Sequence, residues 1–208
     1  MAEVTTTGSG EVKHRADRAT VSAYYRATGG DRTRAVDALT HVVEPVEAVL
    51  RREGLRIRSR ELSVHDTWHK GRRSSAEAEQ RYEVRVADLE ILDEVVAELV
   101  AAEPAHLYGP RWELKDTAAA TREAQALAVA DARQRAEGYA IALGARLGKF
   151  LRLTEGGAQG PGPFMAMDGA VAYAGGAPER AVDIGALNLE PELISVQVTC
   201  STVWELLD

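Results

Sequence analysis

The sequence of 208 residues lacks the marks of a disulfide-rich or membrane-spanning protein. A single cysteine, Cys200, excludes an internal disulfide framework. No stretch reaches the roughly 18 consecutive apolar residues that a membrane helix needs, so we expect no membrane span. The opening residues MAEVTTTGSG contain neither a basic nor an apolar segment. We therefore predict that no secretory signal is present and that the chain is cytoplasmic.

The net charge of the chain also limits which functions are expected. The net charge of −7 argues against a nucleic-acid-binding surface as the main role of this protein. A hydrophobic content of 45% is enough to bury a core, and the length suits one large domain or two small ones. We interpret residues 1–208 as a single domain.

Motifs for metal or nucleotide chemistry are weak. His65 and His69 could share a zinc ion on a helix, but their surroundings have a strand pattern, which would place them about 13 Å apart. Glycines at positions 156, 157, 160 and 162 resemble a phosphate-binding loop, yet no Gly-Lys-Ser/Thr follows and no helix begins after them. Cys200 alternates in phase with Val196 and Val198, which predicts a buried, inert thiol.

The clusters of charged residues are better explained as solvent-exposed surface than as catalytic or binding sites. Glu61 with Asp66, or Asp88 with Glu90, could be paired acids, but nothing distinguishes them from other surface charges. One stretch is locally basic and could steer an acidic partner, although a solvated face is the simpler interpretation. Its arginines are Arg51, Arg52, Arg56, Arg58, Arg60, Arg72 and Arg73.

The clearest positive signal is a long alanine-rich helix predicted over residues 117–143. Alanines at i+4 spacing form a ridge that would let the helix approach a sheet closely, and Leu127, Tyr139 and Leu143 are predicted to extend this apolar face. Gly144 suits the helix end, and Leu147 to Leu153 alternate as a strand should. The ridge consists of Ala124, Ala128, Ala132, Ala136 and Ala140.

The run ALAVADARQRAEGYAIALGARLGKFLRLTEGG resembles the C-terminal hallmark of SIMPL-domain proteins, with a central Asp131-Ala132-Arg133 and a closing Glu-Gly turn. GSGEVKHRADRATVSA, from Gly8, resembles the opening of that family, although Ala16 stands where proline is usual. QRYEVRVADLEIL, from Gln80, is similar to its central strand. The resemblance implies an envelope- or stress-associated role, higher oligomers in some relatives, and a periplasmic or outer-membrane location for many.

The element order is β-α-β-β-α-β, then α-β, loop, β, which predicts an α+β fold whose antiparallel, split β-α-β-like sheet carries helices on one face. We expect residues 1–10 to be frayed and residues 11–28 to form one strand with a bulge or bend at Ala16–Arg18. The first helix is predicted to kink or break in two at Pro45. Residues 69–78 are predicted to be a hairpin loop.

Residues 155–192 are rich in Gly, Pro and Ala, which predicts a long, mobile loop before the last strand. Apolar side chains within it suggest that it lies against this subunit or a neighbour. We identify Phe164, Met165, Met167 and Tyr173 as a tentative interaction loop.

These observations favour a non-enzymatic SIMPL-like protein that acts through self-association or through an unidentified protein partner, with a homo-oligomer expected. We assign no catalytic, cofactor-binding or metal-binding residue and no cofactor. A small-molecule binding module, with a cleft under the loop at 155–192, is the alternative. An enzyme of unknown class would need a polar cluster assembled from distant elements.

Overall fold

The computed structural model describes residues 2–159 and 184–208, which form two antiparallel sheets with helices packed against them. The predicted α+β class is therefore confirmed, although the strands form two sheets instead of one. The elements are β1 (Ala2–Arg15), β2 (Arg18–Gly29), α1 (Arg32–Val49), β3 (Leu55–His69), β4 (Arg72–Val86), α2 (Leu92–Ala101), β5 (His106–Glu113), α3 (Thr117–Ala142), β6 (Arg146–Gln159) and β7 (Leu193–Leu207).

The chain divides into two compact units. The first unit contains β1, α3, β6 and β7, and its sheet has the order β1-β7-β6. The second unit contains β2 to β5 with α1 and α2, and its sheet has the order β3-β4-β2-β5. The assignment of residues 1–208 to a single domain stays a prediction.

The second unit is the predicted split β-α-β arrangement, with α1 and α2 covering one face of its sheet. Alternate residues of β2 and β4 point towards the helices, and Tyr25 and Tyr82 meet there edge to face, with ring centroids 6.0 Å apart. The Tyr25 hydroxyl donates to the Leu99 carbonyl oxygen at 3.1 Å. Asp31 caps α1 by accepting a hydrogen bond from the Arg34 amide.

The predicted strand over residues 11–28 is two strands of different sheets. β1 ends at Arg15 and β2 begins at Arg18. Between them the amide of Ala16 donates to Glu192, and that of Asp17 donates to Glu113. The parity change at these residues therefore marks a strand break and not a bulge. The opening residues are not frayed, because β1 pairs with β7 from Ala2 onwards.

The predicted loop over residues 69–78 is also wrong. β3 and β4 are joined at Lys70 and Gly71, both of which have positive φ. β4 begins at Arg72, and its Ala76 and Ala78 are completely buried. Alanine alternating with charged residues carries little apolar signal, which explains why this strand start was missed. α1 runs unbroken past Pro45, so the alternative of two separate helices is wrong.

The predicted loop over residues 155–192 begins later than expected. β6 continues to Gln159, which pairs with Gln197 of β7. On the far side, Ile184–Leu187 form a 3-10 turn, and Ile184 is buried in the core of the second unit. Residues 160–183, with Phe164, Met165, Met167 and Tyr173, lie outside the described residues.

Candidate functional site

The first unit is organised by very close packing of α3 on its sheet. The buried face of α3 consists of alanines alone, and β1 opposes it with Gly8 and Gly10. A Cβ at Gly8 would overlap the carbonyl oxygen of Ala128, and one at Gly10 would overlap that of Ala124. The predicted close approach of helix and sheet is thus present, and it leaves no room for a methyl group at Gly8 or Gly10. The buried alanines are Ala120, Ala124, Ala128, Ala132, Ala136 and Ala140.

Asp131, the first residue of the Asp-Ala-Arg pattern, links α3 to β1. Its carboxylate pairs with Arg135 at 3.1 Å and accepts a hydrogen bond from the Ser9 amide at 2.9 Å. These two donors hold the pKa of Asp131 below its ordinary value, the Arg135 hydrogen bond more strongly than the Ser9 amide. The geometry therefore assigns Asp131 a structural contact, because both of its carboxylate oxygens are engaged within the unit.

The predicted extension of the apolar helix face is wrong. Leu127, Tyr139 and Leu143 are 46%, 59% and 70% exposed. Alanine side chains bring the α3 backbone so close to the sheet that one row of residues fills the contact. The rows beside this ridge consequently lie outside the interface, whatever their hydrophobicity.

β6 presents a second set of exposed apolar side chains. Phe150 lies opposite Trp204 and Leu153 lies opposite Thr202 in β7, so both point to the sheet face that carries α3. Irregular pairing at Phe150 shifts the register of β6, which places Phe150 and Leu153 on the same face despite their odd spacing. α3 packs mainly on β1 and β7, so Phe150 and Leu153 remain 48% and 45% exposed.

The flank of α3 that faces β6 completes this surface. Gln125 on that flank donates to Glu155 of β6 at 3.3 Å. Val129 follows Gln125 by one helical turn and lies on the same flank, exposed. The next two residues of this row, Arg133 and Glu137, are charged and pair with each other at 2.9 Å. We call the three side chains Val129, Phe150 and Leu153 the apolar flank. It was missed in the sequence because its strand half depends on the register shift.

The open face of the second unit carries charges around Glu113. This carboxylate accepts hydrogen bonds from Thr20 and Arg85, both at 2.8 Å, and lies within 3.4 Å of Arg58 and Arg111. Burial would raise the pKa of Glu113, but the hydrogen bonds from Thr20 and Arg85 and the nearby guanidinium charges hold it below its ordinary value. The cluster is internally satisfied, so it forms a structural ion-pair network.

We expect this network to make stability fall in acid. Because the pKa of Glu113 is lower in the folded state, its contribution is present above the ordinary value of 4.5 and is lost as pH falls through the folded pKa. In urea titrations between about pH 5 and about pH 3, Glu113→Gln should lose less unfolding free energy than the wild type. Glu61→Gln, at an exposed carboxylate, is the matched control; equal slopes for all three proteins would contradict the prediction.

The candidate histidines, the cysteine and the first of the candidate glycines lie in strands. His65 and His69 lie on β3, as the strand pattern predicted, and the described ranges contain no group of three or more His, Cys, Asp or Glu able to hold a metal. Cys200 is 4% exposed, which confirms the buried thiol, and burial raises its pKa. Gly156 belongs to β6, where it packs against Thr199.

The acidic pairs and the arginine cluster are mostly engaged in local contacts. Asp88 caps the 3-10 turn that precedes α2, and Asp66 pairs with Arg32 at 3.0 Å. Several of the predicted basic residues form ion pairs within the second unit, for example Arg52 with Glu94 at 2.7 Å. The basic stretch is therefore largely neutralised away from the end of the β3–β4 hairpin. Further pairs join Arg58 to Glu113, Arg60 to Glu47, and Arg81 to Glu61.

A shallow groove of about 400 Å³ lies between α1 and β3, beside Val36 and Val64. Arg32, Thr33 and Asp37 complete its lining. The cleft predicted under the loop at 155–192 would be lined by residues outside the described part of the chain, so the small-molecule alternative stays a prediction.

Comparison with known proteins identifies one matching family. The family model SIMPL, described as "Protein of unknown function (DUF541)", matches residues 4–204. A search of curated proteins found no match. Among the described helices, none is both long and apolar enough to cross a membrane.

Proposed function

The chain belongs to the SIMPL family, whose function is unknown, and from this premise we propose that it is a non-enzymatic protein that acts by self-association through the apolar flank. The observation that carries the proposal is the exposure of Phe150 and Leu153 on a strand that α3 leaves uncovered. A stress-associated role rests on the family resemblance alone.

The energetics favour a contact between copies. Complete burial of one such side chain contributes about 1.5–3 kcal/mol, so a second copy that covers the flank would gain several kcal/mol before the cost of association. A two-fold axis would place the flank of one copy against that of its partner, which is the commonest symmetry of homo-oligomers. Phe150 is already oriented by Trp204, with ring centroids 5.2 Å apart, which reduces the ordering cost on binding.

We expect light scattering and sedimentation velocity at micromolar concentration to detect an oligomer of the wild type. The double variant Phe150→Asp/Leu153→Asp should raise the dissociation constant at least about 100-fold, because each charge would have to be buried in the contact. Circular dichroism should remain that of the wild type, since both side chains are exposed.

The matched control is Leu62→Asp, which introduces the same charge at an exposed leucine on a strand of the second unit. It should leave association unchanged. A wild type that is monomeric at every concentration, or a control that dissociates the oligomer equally, would refute self-association through the flank. Capture of a specific protein by the monomeric wild type would instead favour partner binding.

A further inference from the structure

The end of the β3–β4 hairpin combines an exposed tryptophan with unneutralised positive charge. Trp68 is 67% exposed, the largest side chain on this part of the chain. Lys70, Arg72 and Arg73 follow it around the turn, and all are exposed. Arg73 reaches Asp66 only at 4.0 Å, and that carboxylate already pairs with Arg32 at 3.0 Å. We call Trp68, Lys70, Arg72 and Arg73 the hairpin tip.

The hairpin tip projects beyond the rest of its sheet. The last residue of β2 pairs with Ala76, so among the described strands only β3 lies beside the four residues Arg72–Ser75 of β4. At about 3.3 Å per residue, this overhang is about 13 Å long. Positive φ at Lys70 and Gly71 matches a two-residue turn, and β3 and β4 stay paired up to His69 and Arg72, with a register shift between Thr67 and Trp68.

The charge of the tip is opposite to that of the chain, which carries −7 overall. An overhang of about 13 Å exceeds the Debye length of about 8 Å at physiological ionic strength, so the acidic residues on the rest of this sheet are largely screened from a surface that the tip contacts. Arg32 of α1, which pairs with Asp66 beside the tip, is also positive. An anionic surface would therefore be attracted locally without strong repulsion from the rest of this sheet.

We propose that the hairpin tip binds the surface of an anionic phospholipid bilayer. Tryptophan is favoured at the interface between headgroups and acyl chains because its ring is apolar while its N–H still finds a partner. Lysine and arginine beside it gain from the negative surface potential of acidic lipids. A nucleic acid fits less well, because a single ring offers only one stacking position for a base.

The test is co-sedimentation with vesicles of phosphatidylcholine containing phosphatidylserine, compared with vesicles of phosphatidylcholine alone. The wild type should bind the anionic vesicles, and binding should weaken as salt is raised. The variant Lys70→Gln/Arg72→Gln/Arg73→Gln should bind about 100-fold more weakly, and Trp68→Ala roughly tenfold more weakly. Vesicles should shift the tryptophan fluorescence of the wild type to shorter wavelength, and Trp68→Ala should lack most of that shift.

The matched control, Arg51→Gln/Arg56→Gln/Arg58→Gln, removes the same number of exposed positive charges from the same unit, away from the tip, and should bind like the wild type. Absence of binding to the anionic vesicles, equal binding to neutral ones, or equal loss in the control would overturn the proposal. Binding of a single-stranded oligonucleotide but not of vesicles would also overturn it. Because the apolar flank is intact in every tip variant, failure here is distinguishable from failure of the self-association proposal.

Discussion

Gly10→Ala is expected to destabilise the protein by at least about 3 kcal/mol, and Gly10→Val to prevent the first unit from folding. The added Cβ would overlap the carbonyl oxygen of Ala124 and lie 2.6 Å from the Ala128 amide nitrogen. Both obstacles are backbone atoms of α3, so no side-chain rotation can relieve the overlap. Urea unfolding followed by circular dichroism would measure the loss.

The same chain supplies a matched control on α3. Gly138 lies inside the helix, and a Cβ there would meet nothing within 4 Å. Gly138→Ala should therefore stabilise the protein by up to about 1 kcal/mol through helix propensity. If Gly10→Ala cost less than about 1 kcal/mol, helix and sheet would have room to separate, and the close packing described above would be incorrect.

Tyr25→Ala is the second large effect, with an expected loss of about 3–5 kcal/mol. The ring is completely buried in the core of the second unit and packs edge to face against Tyr82. Truncation would leave a cavity and would also leave the Leu99 carbonyl oxygen without its hydroxyl donor. Chemical denaturation at neutral pH would measure the loss as a lower midpoint.

Tyr25→Phe separates the two contributions. It keeps the ring and removes only the hydrogen bond, so it should cost about 1 kcal/mol. Tyr108→Ala, at an exposed tyrosine of the same unit that packs edge to face on Tyr24, should cost no more than about 1.5 kcal/mol. A loss for Tyr25→Ala no larger than that of the exposed control would show that the ring is not part of the core.

The elements that the sequence predicts well are those whose local pattern survives tertiary packing. The alanine row of α3 is periodic over many residues, and the helix has nearly the expected bounds. The alternation of Val196, Val198 and Cys200 is likewise found in β7. The division of the strands into two sheets could not be predicted from periodicity. Strands β1 and β2 are separated only by Ala16 and Asp17, and a parity change there is equally typical of a bulge.

The candidate site shows a different limit of sequence reasoning. Exposure of Leu127 and Tyr139 follows from how near the α3 backbone lies to the sheet, which depends on glycines more than 110 residues earlier in the chain. The grouping of Phe150 with Leu153 follows from a register shift that strict alternation does not predict. The tip of the β3–β4 hairpin was visible as a basic stretch, but its overhang depends on where β2 ends.

The strand order β1-β7-β6 also determines when the first unit can fold during translation. The middle strand of this sheet is the last to be synthesised, so β1 and β6 emerge with no neighbour between them. Most of the second unit, from residue 16 to residue 113, is complete long before that moment and can adopt its fold during translation. The first unit has to wait for residues 193–207, which makes its assembly the late step in the maturation of each new chain.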